Sequence, residues 1–219
     1  MRFLQFAVAA IGLVVSTAFA SPADPKLGVE YVQLASPQPV QAVGKKVEVI
    51  EFFMYHCPHC NVLEPFIADW VKKQGNKILF KRIHMPSGAN DPEAHLYLTL
   101  EAMGKLDELH VKVFKAIHVD RLRMNSDAVV MDWVSKNGID KAKFTDAWNS
   151  FGVMTKMKRL PQILGNYKVE SVPTLVVDGR FMTSPSVVDA ANKGMNEAAL
   201  SNATVQVLDA MVSKVAKTK

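Results

Sequence analysis

The sequence predicts an α/β fold in which one sheet domain carries an all-helical insert. Three observations predict it: a strand–helix–strand pattern over residues 31–83, helical periods alone over 86–167, and strand signals around a tight turn at 173–183. A sheet interrupted and resumed in this way is one domain split by an insertion, so residues 21–85 and 168–219 form the sheet domain and 86–167 the helical insert.

Met1-Arg2 is followed by an apolar run from Phe3 to Val15, broken only by Gln5, and by Ala18-Phe19-Ala20 ahead of polar Ser21-Pro22-Ala23-Asp24. A basic start, a short apolar stretch and a small-x-small site read as a secretory signal peptide over 1–20, cleaved after Ala20. No later stretch approaches the roughly 18 apolar residues that a membrane span needs. The chain has 26 Lys and Arg against 21 Asp and Glu, and leaving out Arg2 reduces the net charge from +5 to +4. That excess is small and scattered, which excludes nucleic acid as the expected partner.

Tyr31-Val32-Gln33-Leu34 predicts a short first strand, and a loop rich in proline and glutamine follows from Ser36 to Val43. Val47 to Tyr55 is almost continuously apolar, the pattern of a central strand covered on both faces. From Cys57 to Gln74 the apolar positions Val62, Leu63, Phe66, Ile67, Trp70 and Val71 recur at helical spacing, and Gly75 ends the helix. Ile78 to Ile83 then reads as a strand parallel to the central one. In the insert, Asn90-Asp91-Pro92-Glu93 and Asn125-Ser126-Asp127 start helices, while Gly104 and Gly138 stop them. Leu106, Leu109, Val113, Phe114 and Ile117 form one apolar stripe; Val129, Val130, Trp133 and Val134 form another, and both read as bundle core. Pro173 to Val177 is a strand, Asp178-Gly179 a two-residue hairpin turn, and Phe181 to Thr183 its return. The chain from Ser184 onward reads as helix, broken near Ser201-Asn202.

The chemistry is concentrated in Cys57-Pro58-His59-Cys60, which holds the two cysteines of the chain directly after the central strand. A Cys-x-x-Cys that opens a helix puts the first sulfur at the helix N-terminus, where unpaired N–H groups and the dipole favour a thiolate. Pro58 falls at the first helical position, where its missing N–H costs nothing. Cys60 lies three residues on, near the same helix face and deeper, so the two sulfurs can meet as a disulfide. A zinc site would need four ligands and usually a second cysteine pair, and a secreted chain of this length does not need a disulfide for stability, so a redox dithiol is the leading reading over a metal site or an inert staple. His56, His84, His95 and Met54 have no regular ligand spacing, and no metal is expected. The helix terminus alone supplies at most about a pKa unit. His59 can add to it by donating, or by carrying charge, toward the Cys57 sulfur; the plainer alternative is a solvated histidine. Glu51 is an acid inside an apolar strand, where a charge must be partnered or protonated.

With these residues in view, the chain resembles the DsbA thiol:disulfide oxidoreductases of the bacterial periplasm, within the thioredoxin superfamily. The resemblance spans positions 21–219 and rests on Glu51-Phe52-Phe53 leading into Cys57-Pro58-His59-Cys60, on the helical insert, and on Val172-Pro173-Thr174 ahead of Asp178-Gly179. It implies a thioredoxin fold with an inserted helical domain and a redox-active Cys57–Cys60 disulfide as the only redox group, with no other cofactor. Pro173 would be cis and face the dithiol. Glu51 would be the buried acid that exchanges a proton with Cys60, with Lys81 as its partner. His56, Val172 and Thr174 would meet the substrate, around a shallow groove for unfolded peptides beside Pro58 and Pro173. The implied activity is that of a monomeric periplasmic dithiol oxidase acting on reduced, newly exported proteins, reoxidised by a quinone-linked membrane partner of the DsbB type. A disulfide isomerase or reductase of the same superfamily is the nearest alternative, but about 25 residues before the first core strand leave no room for an isomerase's dimerisation domain. A metal-binding protein and a peptide chaperone with an incidental dithiol are the others. The chain departs from the family at Pro161, where a kink or early helix end is expected, and at Thr174 and Met54-Tyr55-His56, which bear on partner choice.

Overall fold

The structure, a computed structural model, describes residues 21–219; the signal peptide expected over 1–20 falls outside the described residues. Five strands form one sheet in the order β1-β5-β4-β2-β3: β1 (Val32–Gln33), β2 (Val47–Phe53), β3 (Ile78–His84), β4 (Thr174–Val177) and β5 (Phe181–Thr183). Central β2 is buried along its whole length, as its apolar run requires. It pairs parallel with β3 and antiparallel with β4, so the crossover through α1 (Pro58–Gln74) lies between parallel neighbours. Gly75 ends α1 with φ 53°, a backbone conformation that glycine adopts without strain. Asp178 and Gly179 both have positive φ, 54° and 61°, the requirement of a type I′ hairpin. Gly179 has a second reason to be glycine, since a Cβ there would overlap the Gln38 carbonyl of the loop passing beneath it.

Between β3 and β4 run five helices, α2 (Pro92–Ala102), α3 (Leu106–His118), α4 (Asp127–Lys136), α5 (Lys141–Trp148) and α6 (Phe151–Tyr167). Two more, α7 (Pro185–Ala191) and α8 (Glu197–Ala216), follow β5. Asp91 caps α2 through the Glu93 and Ala94 amides, and Ser126 caps α4 through the Val129 amide. Leu109, Val113 and Phe114 of one stripe and Val130, Trp133 and Val134 of the other pack into a core that also takes in Phe53, Tyr55 and Cys60. The helical insert and the dithiol therefore share one apolar cluster. A second cluster fills the space between Val47, Val49, Leu175 and Val177 of the sheet and helices α1 and α8. The opposite face, with Ile50, Phe52 and Val176, is covered by Tyr167 and its neighbours at the end of α6.

An early helix end at Pro161 and a break near Ser201-Asn202 are both corrected by the structure. Helix α6 continues through Pro161 to Tyr167, because Pro161 is exposed and water can take the carbonyl that its missing N–H leaves free. The C-terminal break lies between α7 and α8 rather than at Ser201-Asn202. Gly194, at φ 89°, turns the chain, and the Asn196 side chain accepts from the Ala199 amide to start α8, leaving Ser201 buried on its inner face.

Candidate active site

Cys57 is the N-cap residue of α1, with extended backbone and no side-chain cap, and Pro58 occupies the first turn. Both sulfurs are free; Cys57 is partly exposed and Cys60 fully buried. The peptide bond between Val172 and Pro173 is cis, and the Cys57 thiol lies 3.6 Å from the Val172 carbonyl oxygen. The loop before β4 and the start of α1 thus meet at the reactive sulfur, although they are 115 residues apart.

The two thiols differ in acidity. Cys57 is drawn down to about 6, first by the Cys60 thiol donating to it, then, against the cost of burial, by backbone N–H groups of Cys60 and His59 and last by the His59 charge. Cys60 is pushed well above the ordinary thiol range by the Cys57 sulfur, by burial and by the negative charge of Glu51. The sequence makes His59 a candidate for the main helper, yet its ring is exposed and lies 3.6 Å from Glu197 on α8. Its contribution ranks behind that of Cys60 because solvent screens an exposed charge while the Cys60 hydrogen bond is direct. Alkylation by iodoacetamide should accordingly rise with a midpoint near pH 6 at Cys57; a midpoint near the ordinary thiol value of about 8.5 would contradict this geometry.

Beneath the dithiol lies a buried charged trio. The Arg82 guanidinium donates from Nε to Glu51 Oε2 at 2.9 Å and from Nη2 to both oxygens of Glu64 at 3.0 and 2.9 Å. Two carboxylates against one guanidinium leave a surplus negative charge in a dry place, and burial with the Glu64 charge raises Glu51 to about 7 despite Arg82. The resemblance suggests Lys81 as the partner of Glu51, and the structure corrects it. Register pairs Glu51 with Arg82 and Ile50 with Lys81, so Arg82 shares the face of Glu51 while Lys81 projects to the other face, where it bonds Glu48 at 2.7 Å. Glu64 belongs to the same constellation because it follows Cys60 by four residues and therefore shares its helix face.

An aromatic and imidazole shell closes the site. The Tyr55 hydroxyl lies 2.9 Å from His110 Nδ1, and His110 Nε2 lies 3.4 Å from Glu64 Oε2. Burial holds His110 below the usual imidazole range, and His84, fully buried, is held down to about 3; both are neutral at pH 7. His84 Nε2 accepts from the Tyr55 amide at 3.1 Å, and His118 Nε2 bonds the Tyr55 carbonyl at 2.7 Å, so the residue two before Cys57 is fixed on both sides. His56 lies at the surface, its Nδ1 2.7 Å from Glu93 Oε2 on α2, and that hydrogen bond raises its pKa.

Of the residues expected to meet substrate, Val172 lies beside the sulfur and His56 borders it along the chain. Thr174 does not face solvent. It is buried, its hydroxyl donating to the Ser171 carbonyl at 2.8 Å, because β4 pairs with β2 there and turns the side chain inward to brace the loop. Tyr55, expected on the surface that meets partners, is instead fully buried, and sequence reasoning misses Arg82, Glu64, His110 and Glu93 as members of the site. The alternation of β3 and the four-residue step from Cys60 are the available signals for the first two; for the others the contacts are long-range and leave no local pattern.

A family model of the DSBA-like thioredoxin domain matches residues 48–194. Thiol:disulfide interchange protein DsbA of Burkholderia cepacia is 38% identical over 217 residues, covering 98% of this chain and 97% of the relative. The protein of the same name from Pseudomonas aeruginosa PAO1 is 37% identical over 159 residues, covering 72% of this chain and 75% of the relative. The crystal structure of Pseudomonas aeruginosa DsbA superposes with a TM-score of 0.76 at 32% identity, covering 90% of this chain and 98% of that one.

Proposed function

This chain belongs to the DSBA-like thioredoxin domain family, its activity is that of a thiol:disulfide interchange protein, and from that premise we propose which of its atoms carry the exchange. In the oxidised enzyme a substrate thiolate attacks the Cys57 sulfur; the new bond joins substrate to Cys57, and the Cys57–Cys60 bond breaks. Cys60 leaves with the electron pair and, as the weak acid of the pair, takes up a proton, for which Glu51 near pKa 7 is a ready donor. A second substrate thiolate then attacks the substrate sulfur of the mixed disulfide, and Cys57 departs as a stable thiolate. The substrate is oxidised by two electrons, and the enzyme is reduced by two.

The observation that carries this reading is the asymmetry of the dithiol: an acidic, partly exposed sulfur at a helix N-terminus over a buried, weakly acidic one. It supports Cys57 as the sulfur that substrate reaches and attacks, because it is the exposed one, and its departure as a stabilised thiolate in the second step, where it is the leaving group. Pro58 and Pro173 flank the sulfur without offering an N–H, and the Val172 backbone can pair with an extended peptide. The compartment is the periplasm, reached by a signal peptide cleaved after Ala20. The substrates are reduced, newly exported polypeptides, and the reoxidant is a quinone-linked membrane protein of the DsbB type. The dithiol is the sole redox group. Cys60→Ser, added in reduced form with an activated substrate disulfide, should accumulate mixed disulfides through Cys57, visible as higher bands on non-reducing gels. No such bands from this variant, with trapping by Cys57→Ser instead, would overturn the assignment of the attacking sulfur.

A further inference from the structure

A cleft of about 650 Å³ is lined by His56, the residue before Cys57, and by Ser87, Glu93, Ile117, Arg121 and Arg123 among others. It lies between the turn before α1, the loop before α2 and the connection from α3 to α4, so the insert supplies most of its wall. Its charges divide into two kinds. Asp91 and Glu93, in the floor, are buried and already committed: Asp91 takes the Ser87, Glu93 and Ala94 amides, and Glu93 takes both the backbone N–H and the ring of His56. Arg121 and Arg123, on the rim, are exposed and have no ion pair among the described residues. Arg121 also has φ 58°, a conformation unfavourable to a side-chain-bearing residue, which sets it on the rim at some cost. What the cleft offers an incoming molecule is therefore two free guanidiniums next to apolar Ile117.

We propose that this cleft is a specificity subsite of the exchange reaction, in which Arg121 and Arg123 receive an acidic side chain of the reduced polypeptide close to the cysteine that attacks Cys57. His56 lines the cleft and is bonded to Cys57, and a polypeptide advances about 3.3–3.6 Å per extended residue. Residues next to a cysteine engaged at Cys57 thus reach the cleft wall that His56 forms, and further residues extend along it. Guanidiniums suit carboxylates through paired N–H donors, so glutamate or aspartate is the matching chemistry. This inference rests on the oxidase reading.

The test compares two reduced dicysteine peptides, one with glutamates flanking the first cysteine and one with glutamines, as substrates of the oxidised full chain. The ratio of their kcat/KM values is read because it cancels any change in the dithiol itself. The acidic peptide should be preferred about threefold to tenfold at low salt, the size expected of two exposed ion pairs, and the preference should fade as ionic strength rises. Arg121→Glu with Arg123→Glu should invert the ratio, and the double lysine variant should keep most of it. A ratio near one in the original chain, with the glutamine peptide oxidised normally, overturns the subsite and leaves the oxidase reading intact. A preference that survives the double reversal also overturns it. If neither peptide is oxidised, the oxidase reading fails and the subsite with it.

Discussion

Arg82→Met is expected to destabilise the protein by about 3–5 kcal/mol near pH 8, the cost of leaving buried carboxylates without their cation. Arg82 neutralises Glu51 and Glu64 through three hydrogen bonds of 2.9–3.0 Å, and no second cation approaches Glu51 among the described residues. The pH dependence gives the loss its signature. Glu51 is raised from 4.5 to about 7 in the folded protein, so its contribution to stability is fully present below the unfolded value and lost as pH rises through about 7. Without Arg82 the carboxyl rises further, so the deficit should be small at pH 5 and large at pH 8. Glu51→Gln should act in the opposite direction above pH 7, because Glu64 still holds Arg82 and the surplus charge is gone. Urea melts at the two pH values decide the matter. Equal losses for Arg82→Met at both would mean that packing of the arginine stem, rather than charge, holds the site together.

Cys57→Ser should reduce oxidation of a reduced model protein to the uncatalysed rate while leaving the fold intact. The sulfur is partly exposed, and its contacts with the Cys60 thiol, the Cys60 and His59 amides and the Val172 carbonyl are polar ones that a hydroxyl can also make, so serine loses little packing, whereas the hydroxyl can neither form the disulfide nor leave as a stabilised anion. Full retention of activity in that variant would mean that the dithiol is incidental and that the chain acts on peptides by binding alone.

The sheet and the dithiol are legible in the sequence because their signals are local. The apolar run of β2, Pro58 after Cys57 and the paired positive-φ residues Asp178 and Gly179 each dictate geometry within a few residues. The failures share the opposite character. Pro161 is tolerated because of its exposure, and Ser201 sits within a helix because Asn196 caps α8 five residues earlier; neither fact is visible in the residue itself. The choice of Arg82 over Lys81 turns on strand register, which one-residue neighbours cannot report. Glu93 meets His56 across 37 residues, and Tyr55 meets His110 across 55, so the shell that fixes the residues before Cys57 emerges only when the insert folds onto the sheet.

The central claim is that a stabilised Cys57 thiolate makes this dithiol an electron acceptor, and the equilibrium of the full chain with glutathione tests it most directly. Stabilising the thiolate favours the reduced enzyme, so at pH 7 and a glutathione poise of roughly −200 mV the dithiol should dominate. The dependence of the potential on pH should also become shallower above about 6, where reduction takes up one proton fewer because Cys57 is already ionised. A disulfide that persists at that poise, with no change of slope near pH 6, would mark the protein as a reductase and contradict the account.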